Sequence, residues 1–159
     1  MRSPQRGVTT VEFAIVGAVL FTLLFGVIEF GRALFVANAL AESTRRGARM
    51  AAVCPVGDPR PALVAILANA GGASGISPDL TTANVEVSYL DQAGATLANP
   101  AGSFASIRYV RVRIVNFTQE MMIPFVMPEL LMPPFTATLP IESLGYSPTQ
   151  QAFLACTAV

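Results

Sequence analysis

Residues 7–28 read GVTTVEFAIVGAVLFTLLFGVI, and this stretch decides the fold of the chain. Residues 13–28 carry no charge, and Glu12 and Glu29 bracket them. These sixteen residues, if helical at about 1.5 Å each, span roughly 24 Å, slightly less than the ~30 Å hydrocarbon core of a bilayer. The stretch therefore predicts a membrane-spanning helix that includes a few residues on either side of the apolar run.

The charges on the two sides of this helix bear on its orientation. Arg2 and Arg6 precede it, and a positive N-terminal flank favours the cytoplasm. Four arginines follow it, at positions 32, 45, 46 and 49, and their number alone argues for the reverse orientation. Three of them lie well beyond the apolar run, and Arg32 can pair with Glu29, so we expect a cytoplasmic N-terminus.

The position of the apolar run also bears on proteolytic processing. A removable secretory signal places small residues after its apolar region, whereas this run continues into Glu29 and further helix. The plausible cleavage therefore lies before the run, after Gly7, and makes Val8 the first and Glu12 the fifth residue of the mature chain. A carboxylate inside a bilayer is costly unless it has a partner, so Glu12 is a candidate functional residue.

The helix is predicted to continue beyond the membrane. No proline occurs between Val8 and about Val53, and most residues after position 31 are good helix formers. At 100° per residue, one side carries the polar residues Asn38, Glu42, Arg45, Arg46 and Arg49, and the other carries mostly small or apolar residues such as Leu40, Gly47 and Ala51. This half is therefore amphipathic, and its small-residue side can pack either on the chain's own C-terminal domain or against neighbouring helices.

The start of the helix resembles a known processing site. Gly7 followed by Val8, then Glu12-Phe13 and a long apolar helix, is similar to the cleavage site of type IV pilin precursors. The resemblance implies that a prepilin peptidase cleaves between Gly7 and Val8. It also implies that Glu12, with Phe13 beside it, serves assembly, because the Glu12 carboxylate meets the new α-amine of Val8 on the same or a neighbouring subunit.

The continuation of the helix resembles one family in particular. The sequence EFGR at 29–32, followed by the arginine cluster at 45–49, is similar to the TadE family. These proteins are pilin-like minor components of the tight-adherence (Flp) pilus machinery, and the resemblance extends over about residues 7–55. The helix residues that carry it are Glu29, Gly31, Arg32, Arg45 and Arg49.

The C-terminal part predicts a small antiparallel sheet. A short helix is expected at 61–70, and strands with alternating apolar residues are expected at 84–90, 107–117 and 135–144. We therefore predict an α+β fold in which the long helix packs on the sheet, the pilin-like arrangement that the resemblance also implies. The methionine- and proline-rich segment 119–135 is either an irregular cover over the sheet or an exposed patch for a partner or the membrane surface.

Length and composition suit one domain plus a membrane anchor. The 159 residues are 53% hydrophobic and only 13% charged, which is unusual for a soluble domain. We divide the chain into a leader (1–7), a transmembrane segment (8–31), an amphipathic continuation (32–53) and an exported α+β domain (54–159). If that domain is exported, Cys54 and Cys156 can form an intrachain disulfide; free thiols or an intermolecular bridge are the alternatives.

Several kinds of site are excluded or disfavoured by residue content. The chain has no histidine, and its two cysteines lie 102 positions apart, so neither a histidine-based nucleophilic site nor a zinc cluster is expected. No glycine-rich phosphate motif occurs, and the net charge of zero gives no reason to expect nucleic acid. Arg111 and Arg113 could be an anion site, but a solvated sheet face is the favoured interpretation. We expect no enzyme activity and no cofactor.

These observations lead to an expected function. The chain is expected to be a minor pilin of a tight-adherence pilus, with the prepilin peptidase, other pilins and tight-adherence membrane assembly proteins as partners. It would lie in the bacterial cytoplasmic membrane, with its N-terminus inside and its C-terminal domain outside, and in the pilus. The alternative is a single-pass membrane-anchored extracytoplasmic binding module that does not polymerise. Processing after Gly7 discriminates between the two.

Overall fold

One long helix dominates the computed structural model, which describes residues 7–122, 129–154 and 156. Helix α1 (Val8–Val53) has 46 residues, which corresponds to about 69 Å at the usual rise. Its last turn is closed by the backbone N–H of Cys54, which donates to the carbonyl of Met50 at 2.9 Å. Pro55 follows directly and cannot continue the helix. The predicted extent of the helix is confirmed.

The two halves of α1 have different surroundings. Residues 8–28 include no buried residue, and none of the most apolar window of 18 residues is buried. The helix is long and apolar enough to cross a membrane. In the second half one face is buried by the domain, while Arg45, Arg46 and Arg49 are exposed on the other. The amphipathic pattern is therefore confirmed; its buried residues are Val36, Leu40, Ser43, Thr44, Gly47, Ala48, Ala51 and Ala52.

The main sheet has three antiparallel strands. They are β1 (Val85–Leu90), β2 (Tyr109–Ile114) and a strand formed by Phe135–Pro140, which is β5 in chain order. Strand β2 is central, and Val112 lies opposite Val87 on one side and Ala137 on the other. The residues of β2 alternate between buried and partly exposed as predicted, since its three apolar residues at 110, 112 and 114 are buried. This face packs on α1, which confirms the α+β class.

Shorter elements complete the domain. Helix α2 covers Arg60–Ala65 rather than the predicted 61–70, because Leu67 adopts a positive φ of 51° that ends the helical conformation. Strands β3 (Thr118–Glu120) and β4 (Glu129–Leu131) form a two-stranded ribbon. Two further short strands, β6 (Tyr146–Ser147) and β7 (Ala152–Phe153), pair near the C-terminus.

The predicted main strands are longer than the observed ones. Strand β2 ends at Ile114 rather than 117, shortly before Asn116, whose φ is 53°. Strand β5 ends at Pro140 rather than 144, because proline lacks the N–H that a sheet ladder needs. The positions of all three strands in the chain are nevertheless as predicted.

The methionine- and proline-rich segment 119–135 contributes the β3–β4 ribbon. Its residues 123–128 lie outside the described part of the chain. Among the others, Gln119 and Met132 are buried, and Met132 packs with Val36 and Leu40 of α1. Met122 and Leu131 are exposed. The described part of the segment therefore covers the core with one face and presents apolar side chains on the other.

Candidate processing and assembly site

The predicted cleavage position lies at the exposed beginning of α1. Gly7 precedes the first helical residue, and its carbonyl accepts a hydrogen bond from the backbone N–H of Val11 at 3.3 Å. Its φ is −86°, and a Cβ atom added to Gly7 would meet nothing within 4 Å. The fold therefore gives no reason for a glycine at this position. Residues 1–6 of the predicted leader lie outside the described structure.

Glu12 lies one helical turn after Val8 and is exposed to the surroundings of the isolated chain. None of the ion pairs between described residues includes it. Side chains on a helix tilt toward its N-terminus, so the Glu12 side chain extends toward the turn that contains Val8. An α-amine created at Val8 would therefore lie close to the Glu12 carboxylate. The neighbouring Phe13 is also exposed, as an assembly surface requires.

Glu29 and Arg32 connect α1 to the end of β3 through hydrogen bonds. The guanidinium of Arg32 donates to Oε1 of Glu29, from Nη2 at 2.6 Å and from Nε at 3.2 Å. The same oxygen accepts the backbone N–H of Met122 at 3.1 Å. Arg32 Nη2 also donates to the backbone carbonyl of Glu120. The pair that the sequence allowed is thus formed, and two backbone groups bind it, one in β3 and one two residues after β3.

The remaining motif residues lie elsewhere on α1. Arg45 and Arg49 are exposed and, with residues 136–139 of β5, line a groove of about 220 Å³. Arg32 and Arg45 are 13 positions apart, which is about 20 Å along a helix. Gly31 has no neighbour within 4 Å of an added Cβ. The structure therefore does not bring the five motif residues together: Glu29 and Arg32 hold the ribbon, and Arg45 and Arg49 border the sheet edge.

The two cysteines are joined. Cys54, buried at the end of α1, forms a disulfide with Cys156, and their Cα atoms are 5.3 Å apart. Asp58 lies beside the two sulfur atoms. Three such residues could suggest a metal site, but sulfur atoms joined to each other are not the thiolates that bind metals. This cluster is therefore structural.

The arginines of β2 also have structural partners. Arg111 Nε donates to the hydroxyl of Thr138 at 3.3 Å, and Arg113 Nη1 pairs with the Glu86 carboxylate at 3.2 Å. Both arginines lie on the face of the sheet opposite α1. The interpretation of a solvated sheet face is the one that these contacts favour.

Sequence reasoning missed the contact between the ribbon and the Glu29–Arg32 pair. The contact joins residues about 90 positions apart, and on the β3 side it uses only backbone atoms. Backbone atoms leave no mark on residue identity, so no sequence signal pointed to it. The pairing of Glu29 with Arg32 was visible because the two residues are three positions apart on a helix.

Residues 7–49 match the family model described as TadE-like protein. The matched segment begins at Gly7 and ends at Arg49, so it contains Gly7, Glu12 and the Glu29–Arg32 pair. The match confirms the resemblance over that stretch. No curated protein and no solved structure matches the chain. The segment and the exposed apolar helix together fit a membrane protein associated with a Tad pilus.

Proposed function

We propose that this chain is a minor pilin of a tight-adherence (Flp) pilus, a structural subunit that a prepilin peptidase processes after Gly7. The observation that carries the proposal is the position of the TadE-like match, which begins at Gly7 and includes the whole apolar part of α1. The exposed Gly7–Val8 bond and the absence of any packing reason for Gly7 support it. A requirement for glycine then comes from the peptidase rather than from the fold.

The proposed topology places the N-terminus in the cytoplasm and residues 54–159 outside the bacterial cytoplasmic membrane. The disulfide between Cys54 and Cys156 supports this orientation, because disulfides persist in oxidising compartments and are rare in the cytosol. Residues 8–31 would cross the membrane, and residues 32–53 would carry the domain on their buried face.

Assembly would use the N-terminus that cleavage creates. An unpartnered carboxylate in lipid is costly, and a nearby ammonium group offsets part of that cost. The α-amine of Val8 on the same or a neighbouring subunit would supply that group to Glu12. Such a pair fixes the axial position of one helix against the next, and a head-to-tail interface that does not close generates a filament.

The proposal is tested by the N-terminal sequence and intact mass of the protein isolated from membranes, with and without the prepilin peptidase. We expect a chain that begins at Val8 only when the peptidase is present. In the variant Gly7→Val the chain should keep residues 1–7, since the new side chain points into open space in the fold but alters the cleavage position. Gly17→Val is the matched control: its added Cβ also meets nothing within 4 Å, and its processing should be normal.

The opposite result would favour the alternative function. A chain that keeps residue 1 in the presence of an active peptidase would be a plain membrane anchor. Its exported domain would then be a binding module that does not polymerise, and the partner of that domain would become the question.

A further inference from the structure

The apolar surface of α1 does not end at Glu29. Phe30, Leu34 and Phe35 are 66%, 48% and 70% exposed, and at 100° per residue each is turned about 100–140° away from Glu29 around the helix. The first polar residue on this outward side is Asn38. The outward surface of α1 is therefore continuously apolar from residue 13 to residue 35.

The two charges within this stretch face the domain. Glu29 is 6% exposed, and its carboxylate is satisfied by Arg32 and by the backbone N–H of Met122. Arg32 in turn donates to the carbonyl of Glu120. A paired and hydrogen-bonded charge near a membrane surface costs much less than an isolated one. The pair therefore does not mark the boundary with water on the outward side of the helix.

The extended stretch has the length that a bilayer requires. Residues 13–35 number 23, which gives about 34 Å of helix and matches a ~30 Å hydrocarbon core with a modest tilt. Residues 13–28 alone are too short for that core. The span proposed above supplies the missing length with residues 8–12 and 29–31, whereas an upper boundary between Phe35 and Asn38 supplies it on the outer side and leaves Glu12 at the inner edge of the core.

This boundary has a consequence for the domain. The backbone N–H of Met122 is bound to Glu29, which lies six positions before Phe35, about 9 Å deeper along the helix. The Met122 side chain is 72% exposed beside this contact. We propose that the outer leaflet covers Phe30, Leu34, Phe35 and Met122, which lies two residues after the end of β3, so that the exported domain is partly immersed in lipid.

Lipid is the occupant that the structure favours for this surface. The surface continues the apolar face of the membrane-length helix without a break, and the charged residues of α1 that follow begin only at Glu42. The inference rests on the proposed membrane anchor. A second copy of the chain is the competing occupant, and the experiment separates the two.

The chain contains no tryptophan, so one introduced tryptophan reports on one position. Four variants of the full chain in proteoliposomes suffice: Phe21→Trp within the span, Phe35→Trp and Met122→Trp on the proposed surface, and Tyr146→Trp near the Cys54 end of α1. Lipids with brominated acyl chains quench tryptophan only by contact. We expect the first three variants to have blue-shifted emission and to lose most of it in brominated lipid, and Tyr146→Trp to keep its emission.

Each other outcome overturns the inference in a distinguishable way. Quenching of Phe21→Trp without quenching of Met122→Trp and Phe35→Trp would leave the anchor intact and show a domain held above the lipid. A blue shift of Met122→Trp without lipid quenching would show that protein, a second copy of the chain, covers the surface. Loss of quenching in Phe21→Trp itself would overturn the membrane anchor together with the inference.

Discussion

Arg32 and Glu29 join the exposed half of α1 to the domain through an ion pair whose closest atoms, Nη2 and Oε1, are 2.6 Å apart. The carboxylate also accepts the Met122 N–H, and the guanidinium also donates to the Glu120 carbonyl. The pair thus ties the helix to a ribbon from a distant part of the sequence. Glu29 is the first buried residue of α1, so the pair lies where the exposed part of the helix meets the part that packs on the domain.

The variant Arg32→Met should lower the denaturant midpoint of the detergent-solubilised protein. The change leaves the largely buried Glu29 carboxylate with one backbone donor and leaves the Glu120 carbonyl without Arg32. Arg46→Met is the matched control, since Arg46 pairs with Glu42 on the exposed face and such pairs contribute about 0.2–0.5 kcal/mol. The loss for Arg32→Met should be several times larger.

A double variant separates the charge from the packing of this pair. Adding Glu29→Gln to Arg32→Met should restore part of the lost stability, because the neutral amide does not need a cation. If Arg32→Met and Arg46→Met lose the same stability, and adding Glu29→Gln restores none of it, the Glu29–Arg32 pair makes no specific contribution to stability.

The variant Gly47→Ala is expected to lower the stability of the protein. A Cβ atom there would lie 2.7 Å from Cβ of Ala65 and 3.0 Å from the carbonyl oxygen of Pro61. Neither atom can turn away, so α1 and α2 must separate, at a cost of about 1–3 kcal/mol. Alanine gains about 1 kcal/mol in helix propensity over glycine, and the packing cost should exceed that gain.

The control for this position lies on the same helix. Gly31 has nothing within 4 Å of an added Cβ, so Gly31→Ala should keep or raise the stability of the isolated chain. Thermal unfolding followed by circular dichroism would compare the two variants. An unfolding temperature for Gly47→Ala at or above that of the parent would refute the close packing of α1 on α2.

The disulfide is predicted to contribute strongly to the stability of the domain. It closes a loop between residues 102 positions apart, and the chain-entropy model assigns up to about 4–5 kcal/mol to a loop of that length. Reduction should therefore lower the denaturant midpoint of the parent protein and leave the double variant Cys54→Ala, Cys156→Ala unchanged. If the midpoint of the parent is the same before and after verified reduction, the bridge has no stabilising role.

The parts of the fold that were predictable from sequence depend on local patterns. The end of α1 follows from Pro55, and the faces of β2 follow from strict alternation at 109–114. The shorter α2 was not predictable, because Leu67 has a side chain that gives no signal of a positive φ. The β3–β4 ribbon was also missed, since its strands are three residues long and lie in a proline-rich segment.

In the candidate site too, features marked by local sequence patterns were predicted and long-range contacts were not. Gly7 and Glu12 stand out in the sequence because a glycine and a carboxylate border an apolar run. Glu29 was predicted as the end of that run and as a partner of Arg32, but its burial and its hydrogen bond with the backbone N–H of Met122 were not predicted. Contacts across about 90 positions cannot be read from helix periodicity, so the contact of Glu29 with Met122 needed the three-dimensional structure.

The stability of the domain is expected to fall at alkaline pH because Tyr89 is buried. Burial raises the pKa of its phenol, and the charge of Asp58 adds to the effect. The unfolded chain ionises near the ordinary value of about 10, so stability is full below that pH and is lost as pH rises toward the raised pKa of the folded state. In Tyr89→Phe the decline above about pH 10 should be shallower. An identical decline in both proteins would assign it to other groups.

Glu12 has a carboxylate without an ionic partner among the described residues, and it lies one turn from Val8. Glu12→Gln removes the charge and keeps the shape. Insertion into the membrane should be unchanged or easier, because a neutral amide costs less in lipid. Incorporation into the pilus should fall, since the amide cannot neutralise the α-amine of Val8. Immunoblots of sheared pili and of membranes measure the two quantities separately.

Glu42→Gln, on the exposed face beyond the membrane, is the control and should be incorporated normally. Normal incorporation of Glu12→Gln would show that no ion pair sets the position of this helix among its neighbours.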